Sequence, residues 1–389
     1  MNDEEYGHRL LQPLRQEPAG PPAIDVARAM REGHRRRSRR WWAASSAVAL
    51  LATGLTGGLL VADRDEPRPD RILPAGCTVA ALPTGSHKGA HASGIDATGA
   101  WIVGSTDFVG EPGPSSILVW HNGALVTDVK APNRRKGTGG MRMADINASG
   151  VAVGTNNDGW SEPYVVEGGR FRKLAGGAGD ANAINDAGVI VGTVGPSERP
   201  PVRWASSDAE PEPLPLPDDY RGSFSTAIDI AADGTIVGTI NLRPYLWWPD
   251  GTHGYLEPLP IPGRRKYEFE PSAIRNGWVY GKVWSSESRR ESDPPLPGDS
   301  TAFRYELRTR TWQVAGAVLK SSPPGTTETT TYANGTVLSL PSYQFPAPVG
   351  PVQSMVRSIS DDARTVTGTT ADTGREGVMP QAMPVIWRC

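Results

Sequence analysis

Few side chains in this 389-residue chain are of a type and spacing that could do chemistry by themselves. His87 and His91, in SHKGAH, are spaced so that two imidazoles could reach one metal. A zinc site needs three or four protein ligands, and no third is evident nearby, so a loop is the expected setting. No G-x-S-x-G nucleophile elbow and no H-E-x-x-H zinc motif occurs. The Asp-Gly pairs at 158–159, 233–234 and 250–251 lack the ligand spacing of a calcium loop and read as turns. No cofactor motif is found, and neither a cofactor nor a metal is expected. The remaining candidates are for binding: the clusters Arg134, Arg135, Lys136 and Arg264, Arg265, Lys266, then Arg289 and Arg290, with Trp160 and Trp284 nearby. Basic and aromatic groups on loops could hold an anionic wall polymer or a protein, and solvated loop charge is the alternative reading.

Such residues need a scaffold, and the scaffold repeats. NAINDAGVIVGT at 182–193 could be taken for a phosphate loop, but no helix follows it. Related stretches are HASGIDATGAWIVGS (91–105), MADINASGVAVGT (143–155) and TAIDIAADGTIVGT (226–239). SAIRNGWVYGK (272–282) is shortened, SISDDARTVTGT (358–369) lacks the first glycine, and TYANGTVLSL (331–340) reads as a degenerate copy. The second glycine falls at 104, 154, 192, 238, 281 and 368, and the 87-residue gap before the last leaves room for that copy. A strand ending in an aromatic follows most units, as in ILVW (117–120), PVRW (201–204), PYLW (244–247), AFRY (302–305) and PVIW (384–387), and PYVV (163–166) takes the same place without the aromatic. A further short strand containing leucine comes next. Four short strands in about 44 residues is the size of a propeller blade. The expected fold is therefore an all-β propeller of six or seven blades, with seven counted and the sixth weak.

Within the repeat every residue has a structural task. Asn185 suits an Asx turn, Gly188 a turn position with positive φ, and Gly192 the close approach of a neighbouring strand. The pattern A-x-x-I-N-x-x-G-x-x-V-G followed by an aromatic-ended strand resembles the HAF family of probable extracellular repeats, over most of 90–387. That resemblance implies a secreted or surface propeller-like domain and no particular activity. The repeat's Asn is read as varying to Asp96, Asp229 and Ser360.

Gly 45 and Pro 36 make about a fifth of the chain, well above the usual ~12%, which favours a turn-rich β protein. A net charge of −2 argues against nucleic acid as a partner. Residues 41–62, WWAASSAVALLATGLTGGLLVA, carry no charge and as a helix would rise about 33 Å, enough to span a bilayer core. Seven Arg against one Glu between Arg28 and Arg40 place the N-terminus inside. The expected organisation is a cytoplasmic tail (1–40), an uncleaved transmembrane anchor (41–62), a linker (63–76) and an extracellular propeller (77–389) at the plasma membrane.

The chain has two cysteines, Cys77 and Cys389. It ends at VIWRC, with nothing left for the outer strand of the last blade, whereas CTVAALP (77–83) has that strand's pattern. A composite last blade closed by a Cys77–Cys389 disulfide is expected, which removes an open sheet edge and needs an oxidising compartment. Two functions fit this frame. One is a membrane-anchored binding, sensing or protein-interaction module. The other is a surface polysaccharide hydrolase or lyase, which would need two or three acids at one end of the central channel.

Overall fold

The structure is a computed structural model. It describes residues 76–389 apart from 107–114, 132–139, 158–160, 196–198, 219, 221, 223, 260–266, 286–300, 318–327, 334–335, 347–351 and 373–380. The described chain is all β. Strand β1 (Thr78–Ala81) comes first. Blade 1 is β2 (His91–Ile95), β3 (Trp101–Ser105), β4 (Ser116–His121) and β5 (Ala124–Lys130). Blade 2 is β6 (Met141–Ile146), β7 (Ala152–Asn156), β8 (Glu162–Glu167) and β9 (Arg170–Lys173). Blade 3 is β10 (Gly179–Ile184), β11 (Ile190–Val194), β12 (Pro201–Trp204) and β13 (Pro211–Pro213). Blade 4 is β14 (Ser225–Ile230), β15 (Ile236–Ile240), β16 (Arg243–Trp247) and β17 (His253–Tyr255). Blade 5 is β18 (Tyr267–Arg275), β19 (Trp278–Ser285), β20 (Thr301–Glu306) and β21 (Thr311–Ala317). A hairpin of β22 (Glu328–Ala333) and β23 (Thr336–Pro341) follows. The last sheet is β24 (Val352–Ile359), β25 (Thr365–Asp372) and β26 (Gln381–Arg388), with β1 added outside β26.

The composite blade is thus present. Thr78 pairs with Arg388 and Ala81 with Val385, and a Cys77–Cys389 disulfide clamps the start of β1 to the end of β26. The blade count differs from expectation. Six four-stranded sheets form, and the weak sixth unit is a two-stranded hairpin. It does form strand, turn and strand, and a recurring hydrogen bond shows where its second strand belongs in a blade. Trp120, Trp204 and Trp247 each donate Nε1–H to a carbonyl of the preceding blade, on Pro83, Ala175 and Pro215, at 2.7, 3.0 and 2.7 Å. Each of those carbonyls follows the buried leucine that ends an outer strand: Leu82, Leu174 and Leu214. Trp387 makes the same bond, at 2.7 Å, to Pro341, which follows buried Leu340. The end of β23 therefore behaves as an outer-strand end.

Both glycine readings hold. A Cβ on Gly192 would fall inside 3.0 Å of the Asp180 carbonyl oxygen across the β10–β11 pair, and the equivalent glycines at 104, 154, 238, 281 and 368 meet a carbonyl in the same way. Gly188 has φ +82. The apolar core is divided into layers between neighbouring blades. Val103, Ile117 and Val119 of blade 1, for example, pack against Met141, Met143 and Tyr164 of blade 2. Among the described residues no helix is long and apolar enough to cross a membrane. The expected span at 41–62, with the tail and the linker up to 75, lies outside the described residues.

Because each blade is an antiparallel meander, its first–second and third–fourth strand turns share one face, here the turn face. The longer connections leave from the opposite face. Cys77 and Cys389, at the start of β1 and the end of β26, lie on the turn face.

Candidate functional site

The innermost strand of every four-stranded blade has a register shift near its end, so that one residue lacks a partner: Ser93, Ala144, Asn182, Ile228, Ser272 and Arg357. Such bulges re-aim the next side chains. The residue after the bulge is Gly94, Asp145, Ala183, Asp229, Ala273 or Ser358. Then comes an isoleucine, and then the turn-capping position, occupied by Asp96, Asn147, Asn185, Ala231, Arg275 and Ser360. This register corrects one sequence reading: Asp229 is not the counterpart of Asn185, because Ala231 stands three residues before the turn glycine, as Asn185 does.

The capping residues do backbone work. Asn185 Oδ1 accepts the Val189 N–H at 3.0 Å, and its Nδ2 donates to the Ala231 carbonyl of blade 4 at 3.3 Å. Asn147 Oδ1 likewise accepts from Ser149 and Val151, and Ser360 Oγ accepts the Thr365 N–H. Arg275 cannot accept such a bond. Blade 5 instead turns in two residues, Asn276 (φ 50) and Gly277 (φ 78), which needs no capping side chain.

Three side chains therefore break the repeat: Asp145 and Asp229 after the bulge, and Arg275 at the cap. All three line one cavity of about 240 Å³ at the turn-face end of the central channel. Its walls include the repeat isoleucines 95, 146, 184, 230 and 274, and its rim includes Asp186, Asp233 and Asp361. Asp145 Oδ2 accepts the N–H of Ile184 in blade 3 at 3.0 Å. Asp229 Oδ2 accepts that of Ile274 in blade 5 at 2.8 Å, and its Oδ1 that of Ile230 at 2.9 Å. Each carboxylate so ties two blades together and also faces the cavity. Both are half-buried, and both line the cavity.

Burial pushes the Asp145 carboxyl up to about 7, helped by repulsion from Asp229 and opposed by the Ile184 N–H and Arg275. Asp229 is raised for the same first cause, with Arg275 as the main opposing charge. Asp361 is raised by burial and by Asp229, Asp186 and Asp362, against Arg275. Arg275 Nε stands 3.9 Å from Asp361 Oδ1. Acid–base exchange near neutrality and the capture of a charged small group are both within the reach of this arrangement. Among the described residues no three His, Cys, Asp or Glu side chains are placed to hold a metal ion.

Of the binding residues expected from sequence, only Trp284 is among the described residues. Arg134, Arg135, Lys136, Trp160, Arg264, Arg265, Lys266, Arg289 and Arg290 lie outside the described residues. Trp284 sits in β19, paired with Glu268, and not in a connection. The strand ends that their segments join are on the face opposite the cavity. His87 and His91 take separate partners. His87 Nε2 meets Asp128 Oδ2 at 2.8 Å, while His91 bonds Ser105 Oγ at 3.0 Å and is held down to about 4 by burial and then Arg357.

No family model matches the chain, and no curated protein matches it. Among solved structures, a catalytically inactive virginiamycin B lyase from Staphylococcus aureus with quinupristin is 12% identical, with a TM-score of 0.48 over 80% of this chain and 99% of that one. A gluconolactonase from Xanthomonas campestris is 10% identical, with a TM-score of 0.36 over 82% and 98%. A prolyl endopeptidase is 11% identical, with a TM-score of 0.39, and this chain spans 40% of its length. The propeller assignment rests on the strand pairing itself.

Proposed function

We propose that the protein is a single-pass, membrane-anchored extracellular β-propeller that acts as a binding or sensing module, with its ligand site in the turn-face mouth of the channel. One observation carries the site: the three departures from the repeat, Asp145, Asp229 and Arg275, come from blades 2, 4 and 5 and meet in one cavity. Gly94, Ala183, Ala273 and Ser358 fill the places equivalent to Asp145 and Asp229 in the other four blades, so those blades close without a carboxylate there. The location rests on the apolar segment 41–62 and on the Cys77–Cys389 bridge, which suits an oxidising compartment. The hairpin β22–β23 stands as the remnant of a seventh blade in this reading, supported by the Trp387–Pro341 bond.

The test is a thermal-shift screen of small charged compounds on the full-length chain and on a variant carrying Asp145→Asn, Asp229→Asn and Arg275→Gln. Hits are expected to lose their shift in the variant, and hits that shift both proteins equally would place binding elsewhere. A second reading, a polysaccharide hydrolase or lyase, draws on one feature. A carboxyl raised to about 7 can give or take a proton near neutrality. It predicts turnover of surface polysaccharide that Asp145→Asn abolishes; no turnover of such polymers by the unmodified chain would dismiss it.

A further inference from the structure

The mouth is not simply acidic. Arg275 is about three-quarters buried, with 26% of its side chain exposed, and it lines the cavity. A guanidinium has five N–H donors in a fixed fork. Its one charged neighbour within 4.0 Å among the described residues is Asp361, at 3.9 Å, beyond hydrogen-bond reach. The guanidinium donates no hydrogen bond to any described residue. Its exposed part faces the cavity, so its donors are open to an acceptor that enters the mouth, while its charge also offsets Asp145, Asp229 and Asp361.

Across the same cavity, Asp145 and Asp229 spend oxygens on the Ile184 and Ile274 amides and keep further acceptor capacity toward the channel. A simple anion entering the mouth meets repulsion from Asp145, Asp186, Asp229, Asp233 and Asp361. A simple cation finds the carboxylates but leaves the Arg275 fork without an acceptor. A ligand carrying both signs avoids both penalties, because its anionic end takes the Arg275 fork while its cationic end lies between the carboxylates. The cavity is smaller than the roughly 300–1,000 Å³ of sites for drug-sized ligands, which sets the scale at an amino acid or a short peptide end.

We propose that the channel mouth binds a small zwitterion bearing an ammonium and a carboxylate, the carboxylate held by Arg275 and the ammonium by Asp145 and Asp229. This rests on the mouth being the ligand site. The test uses three matched probes on the full-length chain, by calorimetric titration: alanyl-alanine, its C-terminal amide (ammonium only) and N-acetyl-alanyl-alanine (carboxylate only). The dipeptide should bind, with each derivative about tenfold weaker or more. Arg275→Gln should remove the dipeptide's advantage over the amide. Asp145→Asn with Asp229→Asn should remove its advantage over the acetylated form.

If a derivative binds as well as the dipeptide, or if Arg275→Gln leaves their ratio unchanged, the zwitterion is wrong. Should the amide alone bind, and lose its binding in the Asn double variant, the mouth stands as the site while this inference fails. No binding of any probe at millimolar concentration overturns the inference; if hydrogen exchange at the Ile184 and Ile274 amides also stays unmoved by every hit of the thermal-shift screen, the mouth itself fails as the site.

Discussion

Replacing Cys77 and Cys389 together by serine should weaken the ring at one place and by a calculable amount. The bridge closes 312 residues of sequence separation. Chain-entropy arithmetic for such a loop gives about 5–6 kcal/mol, a ceiling because residual structure in the unfolded chain lowers it, and native disulfides typically give about 2–5 kcal/mol on removal. What would remain at the closure is the four-residue register Thr78↔Arg388 to Ala81↔Val385, the burial of Leu82 and the Trp120–Pro83 hydrogen bond. Those contacts involve few residues and lie at an outer edge, so β1 should detach before the blades separate. The assay is denaturant unfolding of both proteins with hydrogen exchange on the native state. The midpoint should fall by the equivalent of about 2–5 kcal/mol, with faster exchange concentrated in β1 and the β26 amides facing it. A loss below about 1 kcal/mol, or faster exchange spread evenly over all blades, would refute the view that the bridge is the ring's closure.

Gly192→Ala should destabilise more than Gly188→Ala, although only Gly188 has a positive φ. The first drives a Cβ into the Asp180 carbonyl, for about 1–3 kcal/mol or more, while the second enters open space at about 1–2 kcal/mol of backbone strain, both read from unfolding midpoints. Trp204→Phe should cost about 1–3 kcal/mol by stranding the Ala175 carbonyl between blades, measured the same way. Asp145 has a folded pKa of about 7 against an unfolded value of 3.8, so the native state holds the extra proton between them. The contribution of this group to stability is therefore full below about pH 4 and is lost as pH rises toward 7. Asp145→Asn, which keeps an acceptor for the Ile184 N–H, should flatten that decline and gain on the unmodified protein most above pH 7, as thermal unfolding across pH 4–8 would show.

The blades were legible because backbone geometry leaves a local record. A glycine that abuts a carbonyl, an Asx cap and a tryptophan aimed at the preceding blade each constrain one position, and the constraint recurs about every 44 residues. The composite blade was legible by subtraction, since VIWRC lacks an outer strand that CTVAALP could supply. The hairpin was legible as strand, turn and strand in TYANGTVLSL, but not its place in a blade, which is set by a contact with Trp387, some 46 residues on. The site was not legible for a related reason. Asp145 and Asp229 look like ordinary polar variation until the bulge fixes their register, and Arg275 hides in a shortened turn. Aligning the six inner strands on the isoleucine before the cap exposes all three. The Arg/Lys clusters fall in the variable connections, which join strand ends on the other face.

The most direct test of the account is a crystal structure of the full-length chain with its tightest-binding small ligand. The account places that ligand in the turn-face mouth, within hydrogen-bond reach of Arg275 and of Asp145 or Asp229. Density for it among the connections of the opposite face, with the mouth holding only solvent, would contradict it.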